Sequence, residues 1–286
     1  MTSIRPTAPA VRPYFWRRLV AEFLGTGLLV TVVVGSGIAA QRLSPGDIGL
    51  QLLENSFATA LGLTALILML GPVSGAHLNP LVSVADWLLG RYTGSGISLA
   101  DVGAYVLAQC VGGIGGVILA NTMFDTSTRI STTERITGGH LIAEVVATAG
   151  LILLIFALAR TGRGILAAPA VGAYIGAAYW FTSSTSFANP AVTIGRMFSD
   201  TFAGIAPGSV PGYVGMQIIG AAVGIAVLLA LYPHAGRTAD DVVVPRHGFE
   251  LVAHRKVLSC TLSPSAEATQ ASLRPSAPGN STPAPT

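Results

Sequence analysis

Two polar heptapeptides, SGAHLNP at Ser74–Pro80 and STSFANP at Ser184–Pro190, each interrupt a long apolar run. The Asn-Pro pair they share suits one kind of chemistry. An asparagine amide donates and accepts hydrogen bonds without ionising, and asparagine is a preferred helix N-cap. Proline suits the first helical position, because the amide hydrogen it lacks has no intrahelical partner there. The spacing predicts helices beginning at Asn79 and Asn189, with Pro80–Leu81 and Pro190–Ala191 in their first turns. Their positive ends and side-chain NH2 groups would offer hydrogens to the oxygen of a water or a hydroxylated solute. That is recognition and passage of an uncharged guest, in which no side chain reacts. The same residues would also serve as plain caps of buried helices, but the duplicated context argues for the first reading.

The sequence offers no catalytic constellation. Of five histidines, only His77 and His140 lie in or beside apolar runs, without the spacing of a metal site or of a nucleophile and its base. Cys110 and Cys260 stand far apart and set neither a disulfide framework nor a ligand pair. No catalytic residue, metal or cofactor is expected.

The elements that position these residues follow from composition. The chain has 286 residues, 51% apolar and 10% charged, against about 25% charge in a typical soluble domain. It therefore reads as an integral membrane protein. A formal charge of +3, with no basic patch interleaved with aromatics, argues against a nucleic-acid partner. Six runs are long enough to cross a bilayer: 17–40, 50–71, 99–122, 140–160, 164–182 and 210–232. Shorter apolar pieces, 80–89 and 190–199, follow the Asn-Pro pairs. At about 1.5 Å per residue, such a piece covers roughly half of the hydrocarbon core. Irregular backbone at that depth must be buried in protein or line a wet cavity, so the polar breaks mark a cavity.

The two halves repeat. AEFLGTGLLVTVV from Ala21 matches AEVVATAGLILLI from Ala143, HLNPLVS matches FANPAVT, and AYVLAQCVGG from Ala104 matches GYVGMQIIGA from Gly212. Each half has three crossings, so the second must be inverted, a plan known among transport proteins. The fold class expected is an all-α membrane protein of six transmembrane helices plus two re-entrant half-helices in an inverted 3+3 repeat. Residues 1–16 form a cytoplasmic N-terminal segment, 17–232 the channel domain, and 233–286 a cytoplasmic tail, disordered after about 260. The excess of arginine on the side of the termini puts both of them in the cytoplasm of a cell membrane.

Several residues carry two readings. Glu22 and Glu144, one per half, would accept hydrogen bonds from the irregular loops, or form a proton or ion relay. His77 anchors its loop or gates the path. Gln109 and Gln217 read as interhelical hydrogen-bonding groups, and the pairs Gly112/Gly116, Gly172/Gly176 and Gly220/Gly224 as close helix contacts.

Over about residues 15–232 the sequence resembles the aquaporin and aquaglyceroporin family, on AEFLGTG, SGAHLNP and ANPAVT at these spacings. The resemblance implies a six-helix bundle with two half-helices, one pore per subunit, a homotetramer and passive conduction of small neutral solutes across the lipid bilayer. Two positions depart from the pattern: Leu81 stands where the first motif usually has alanine, and Val192 where the family usually has arginine. Counted from the motifs, the family's four filter positions fall on Thr59, Ala177, Ser186 and Val192, all small or medium and uncharged. A wide, neutral filter would suit glycerol, urea and metalloid acids such as arsenous acid, and Thr and Val at these positions resemble the arsenic-linked bacterial branch. Arg196, one turn beyond Val192, would line the outer vestibule, or else pair with Asp200 or reach headgroups. Asp86 is its mirror in the first half and the candidate for the inner mouth. The alternatives are a water-selective pore of the same fold, a coupled secondary transporter and an intramembrane enzyme.

Overall fold

The computed structural model describes residues 13–91 and 96–233. Helices α1 (Phe15–Leu43), α2 (Ile48–Ser74), α3 (Pro80–Gly90) and α4 (Leu99–Met123) make the first half, and α5 (Gly138–Arg160), α6 (Ala167–Phe181), α7 (Pro190–Gly195) and α8 (Val210–Leu231) the second. Six of these, α6 together with the 3₁₀ turn Gly164–Leu166 before it, are long and apolar enough to cross a membrane. The other two, α3 and α7, are the half-helices. No strand forms among the described residues. The expected spans hold to within a few residues at each end. The piece expected at 190–199 is split: α7 ends at Gly195 and a tighter 3₁₀ turn, Arg196–Phe198, follows. The N-terminal segment 1–16 is described only from residue 13, and the tail beyond Pro233 lies outside the described residues.

Local chemistry starts and stops the helices. Asp47 Oδ1 accepts the Leu50 amide at 2.9 Å to open α2, Ser98 Oγ accepts that of Asp101 at 3.1 Å to open α4, and Thr137 Oγ1 that of His140 at 3.2 Å to open α5. Gly75, at φ 90°, ends α2 three residues after Pro72. From there the chain enters the first irregular loop.

The inverted repeat is built on glycine contacts. α1 packs against α4 and α5 against α8. Gly112 and Gly116 of α4 lie against the carbonyls of Phe23 and Gly27 in α1. In the mirror pair, Gly220 and Gly224 of α8 meet the carbonyls of Val145 and Ala149 in α5, and a Cβ at either would sit 2.6 Å from the oxygen. Gly172 and Gly176 of α6 press on Ala60 and Thr64 of α2, joining the halves. These are the small-residue contacts that the sequence spacing predicted.

Polarity is reversed relative to a soluble fold. Glu22, Glu144, Gln109 and Gln217 are completely buried, whereas Phe57, Leu61, Leu68, Ile118 and Leu229 on the spans are exposed. An apolar exterior around a polar centre suits lipid, where every internal polar group must find its partner within the protein.

A lumen between two half-helices

The two Asn-Pro loops meet near the middle of the bundle, and each holds the other. Asn79 Oδ1 caps α3 by accepting the Leu81 amide at 2.9 Å, while its Nδ2 donates across to the Ala188 carbonyl at 2.8 Å. Asn189 Oδ1 caps α7, accepting the amides of Ala191 and Val192 at 3.0 and 3.3 Å, and its Nδ2 donates to the Leu78 carbonyl at 2.7 Å. Pro80 and Pro190 stand at the first helical positions. Each amide thereby spends one N–H on the opposite loop and keeps one.

The loops are strained and need support. Ala76, Leu78, Ser186 and Ala188 adopt left-handed backbone at φ 45°, 49°, 49° and 47°, a region costly for residues with a Cβ. The two buried carboxylates hold this shape. Glu22 accepts from Ser74 Oγ (2.6 Å) and the His77 amide (3.0 Å) on one oxygen, and from the Leu78 amide (2.7 Å) and Gln109 Nε2 (2.8 Å) on the other. Glu144 accepts the amides of Phe187 and Ala188 at 3.0 and 2.9 Å and Gln217 Nε2 at 2.6 Å. Gln109 and Gln217 continue to Ser83 and Thr193 of the half-helices, at 3.2 and 2.9 Å. His77 Nδ1 shares a hydrogen with Ser83 Oγ at 3.0 Å, and its ring packs edge-on to Tyr105. Every one of these contacts fits the scaffold reading of Glu22, Glu144 and His77, and His77 also lines the lumen.

Beside the asparagines lies a cavity of about 70 Å³. One water takes about 10–15 Å³ on this measure, so there is room for roughly five. Asn79, Asn189, His77 and Ser186 supply polar lining from the loops; Leu63, Ile67, Leu151, Ile155, Val171 and Ile175 supply apolar lining from the spans. Ser186 Oγ is buried and makes no hydrogen bond among the described residues.

The filter positions divide. Of the four expected filter residues, Thr59, Ser186 and Val192 line the lumen. Ala177 does not: it is exposed on the outer face of α6. The inward residue at that level is Tyr179, whose hydroxyl lies 3.2 Å from Thr59 Oγ1. Two residues along a helix turn the side chain by about 200°, which is why a count from the motif selects the wrong face. Val171, Ile175 and Tyr179, four apart, are the lumen stripe of α6, and that periodicity is the sequence signal for Tyr179.

Nor is the lumen lining uncharged. Arg196 is buried, lines the lumen and also lines a second cavity of about 490 Å³ with Gln41, Asn55, Arg135 and Asp200. Of the residues lining the two spaces, Arg196 alone is common to both, so it stands where the narrow path opens into a vestibule. Its Nε donates to the Ala203 carbonyl, and its guanidinium lies 3.5 Å from the centre of the Phe187 ring. It does not pair with Asp200, which accepts the amide and hydroxyl of Thr132 at 2.9 and 3.1 Å. The Thr132 amide holds the Asp200 carboxyl below the usual range, and burial pushes Arg135 below the usual range of arginine. Asp86, the expected counterpart at the inner mouth, is buried outside the lumen lining, where Oδ2 accepts the Ile97 amide at 2.9 Å. It anchors the segment that follows α3.

No His/Cys/Asp/Glu group suited to a metal ion occurs among the described residues. Comparison with known proteins agrees with the geometry. The sequence profile of the family named major intrinsic protein matches residues 10–186. The chain is 48% identical over 214 residues to the aquaglyceroporin AqpS of Rhizobium meliloti (strain 1021), covering 74% of this chain and 88% of that protein. It is 29% identical to the glycerol uptake facilitator protein of Pseudomonas aeruginosa, over 72% of this chain and 80% of that one. The X-ray structure of the aquaglyceroporin from Plasmodium falciparum superposes with a TM-score of 0.57 at 21% identity, over 77% of this chain and 96% of that one, which shows a common fold. The chain therefore belongs to the major intrinsic protein family: it is a multi-pass membrane channel that passes small solutes passively, and not an enzyme.

Proposed function

We propose that this channel conducts small uncharged polyhydroxylated solutes, namely glycerol, urea and metalloid acids such as arsenous acid, together with water. The observation that carries this reading is the mixed lining of the lumen. The second N–H of each of Asn79 and Asn189, and Ser186 Oγ, suit hydroxyls, while Leu63, Ile67, Leu151, Val171 and Ile175 suit a carbon face. A path meant for water alone gains nothing from so much apolar surface. Val192 adds no donor fork beside Asn189 and leaves room there. The similarity to an aquaglyceroporin and to a glycerol uptake facilitator supports the same class. A water-selective pore is the second reading, favoured by the bulk of Tyr179 and the charge of Arg196 in the lumen lining. Stopped-flow swelling of reconstituted vesicles in glycerol, urea, arsenous acid and water gradients separates the two. Glycerol and urea rates above those of empty vesicles support the first; water flux alone supports the second.

Orientation and assembly belong to the same reading. Arg17, Arg18, Arg91, Arg160 and Arg163 gather at the face where α1 begins, which favours a cell membrane with both termini cytoplasmic. The resemblance to the family favours a homotetramer with one pore per subunit, and chemical cross-linking in native membrane would reveal a four-chain ladder.

A further inference from the structure

Arg196 is 3% exposed, yet its only side-chain hydrogen bond within the described residues is from Nε to the Ala203 carbonyl. Its two Nη groups carry four N–H donors and have no partner among the described residues. Arg135 lines the same vestibule. Its Nε and Nη2 are fixed on the carbonyls of Gly204 and Phe202 at 2.7 and 2.9 Å, and its Nη1 is unpartnered among the described residues. Both guanidinium carbons lie against the Phe187 ring, at 3.5 and 5.5 Å from its centre. Asp200, the carboxylate among the vestibule residues, already serves Thr132. Two cations thus share one aromatic platform where the two spaces meet, with free donors and no ion pair among the described residues; the nearby Glu144 carboxylate is taken up by Phe187, Ala188 and Gln217. A buried charge in that state is costly until an anion arrives.

We propose that this vestibule is a binding site for a small oxyanion, held between the Nη groups of Arg196 and Arg135. A planar guanidinium matches two oxygens of a carboxylate, phosphonate or similar oxyacid anion, and the vestibule has room for a group of that size. Because Arg196 also lines the lumen, an occupant there stands at the entrance to the path. The site gathers the conjugate base of a weak acid at the mouth and, while filled, slows the passage of neutral solutes.

The test uses glycerol flux in proteoliposomes, and so rests on the neutral-solute reading above; flux in plain buffer tests that reading, and its change with anion tests this one. Methylphosphonate is titrated on both sides, against chloride of equal ionic strength. Methylphosphonate should slow glycerol where chloride does not. Arg196→Gln should raise the half-effect concentration about tenfold or more, the loss expected for a charge-assisted pair. Arg196→Lys, which keeps the charge but not the two-pronged fork, should fall between the wild type and Arg196→Gln. Equal slowing by both salts, or an unchanged half-effect in Arg196→Gln, overturns the proposal. Should a variant conduct too little to titrate, the anion-dependent rise in unfolding temperature of the detergent-solubilised protein decides. The proposal requires that rise in the wild type and its loss in Arg196→Gln, and a wild type that shows none rules it out.

Discussion

Replacing Glu22 by glutamine changes one heavy atom and should unsettle the whole first loop. Four donors converge on the carboxylate: Ser74 Oγ, the amides of His77 and Leu78, and Gln109 Nε2, at 2.6–3.0 Å. The glutamine carbonyl oxygen has two lone pairs and serves two of them. Its NH2 then faces the other two. Ser74 rotates to accept, which leaves one donor opposed to a donor and every remaining bond without its charge. With charge-assisted bonds worth about 1.5–3 kcal/mol each, the loss comes to about 3 kcal/mol. That is a large share of the roughly 5–15 kcal/mol that holds a typical fold. By the scaling for domains of this size it lowers the unfolding temperature by about 6–12 °C. Thermal unfolding in detergent, read beside glycerol flux in vesicles at pH 6 and 8, checks this. Both stability and flux should fall, and the flux deficit should be the same at the two pH values. A Glu22→Gln protein with its full unfolding temperature but without a proton-dependent part of its flux would refute the scaffold argument in favour of a relay.

Other outcomes follow from single contacts. Val192→Arg puts a guanidinium into the lumen beside Asn189, so glycerol and urea rates should drop more than the water rate; an equal drop counts against its position. Gly116→Leu collides with the Gly27 carbonyl and should abolish assembled protein, whereas Gly115→Ala meets nothing within 4 Å and should be silent in the same expression assay. Asp200 has its folded-state pKa depressed by the Thr132 amide, so its tether is present at neutral pH and lost only as pH falls through that lowered value. Limited proteolysis of the α4–α5 loop should therefore accelerate in acid, and Asp200→Asn should show the fast rate already at pH 7.

How much of this was legible in the sequence depends on which residues made a local pattern. Asn79-Pro80 and Asn189-Pro190 announce helix starts through capping chemistry that needs no tertiary context. Glu22, Glu144, Gln109 and Gln217 stood out because a polar residue inside an apolar run must have a partner, and the repeat supplied one for each. The glycine pairs were readable for the same reason of spacing. Ala177 failed because helical phase, not distance from a motif, decides which side chain faces inward, and an error of two residues reverses it. Asp86 failed because the repeat relates backbones while the side chains diverge: Arg196 found a ring and a lumen, and Asp86 found the Ile97 amide. Arg135 left no signal, since it reaches the vestibule from an irregular loop whose path only the folded chain defines.

The crossed amides have a consequence for how such a chain can be made. Asn79 is set by an oxygen that belongs to residue 188, and Asn189 by one that belongs to residue 78. During synthesis, therefore, the first asparagine waits in the bilayer without its mate until more than a hundred further residues have been threaded. The conduit has no half-built form: neither leaf of the clasp can be shaped, inherited or repaired by itself, and it closes only when the later leaf arrives upside down beside the earlier one.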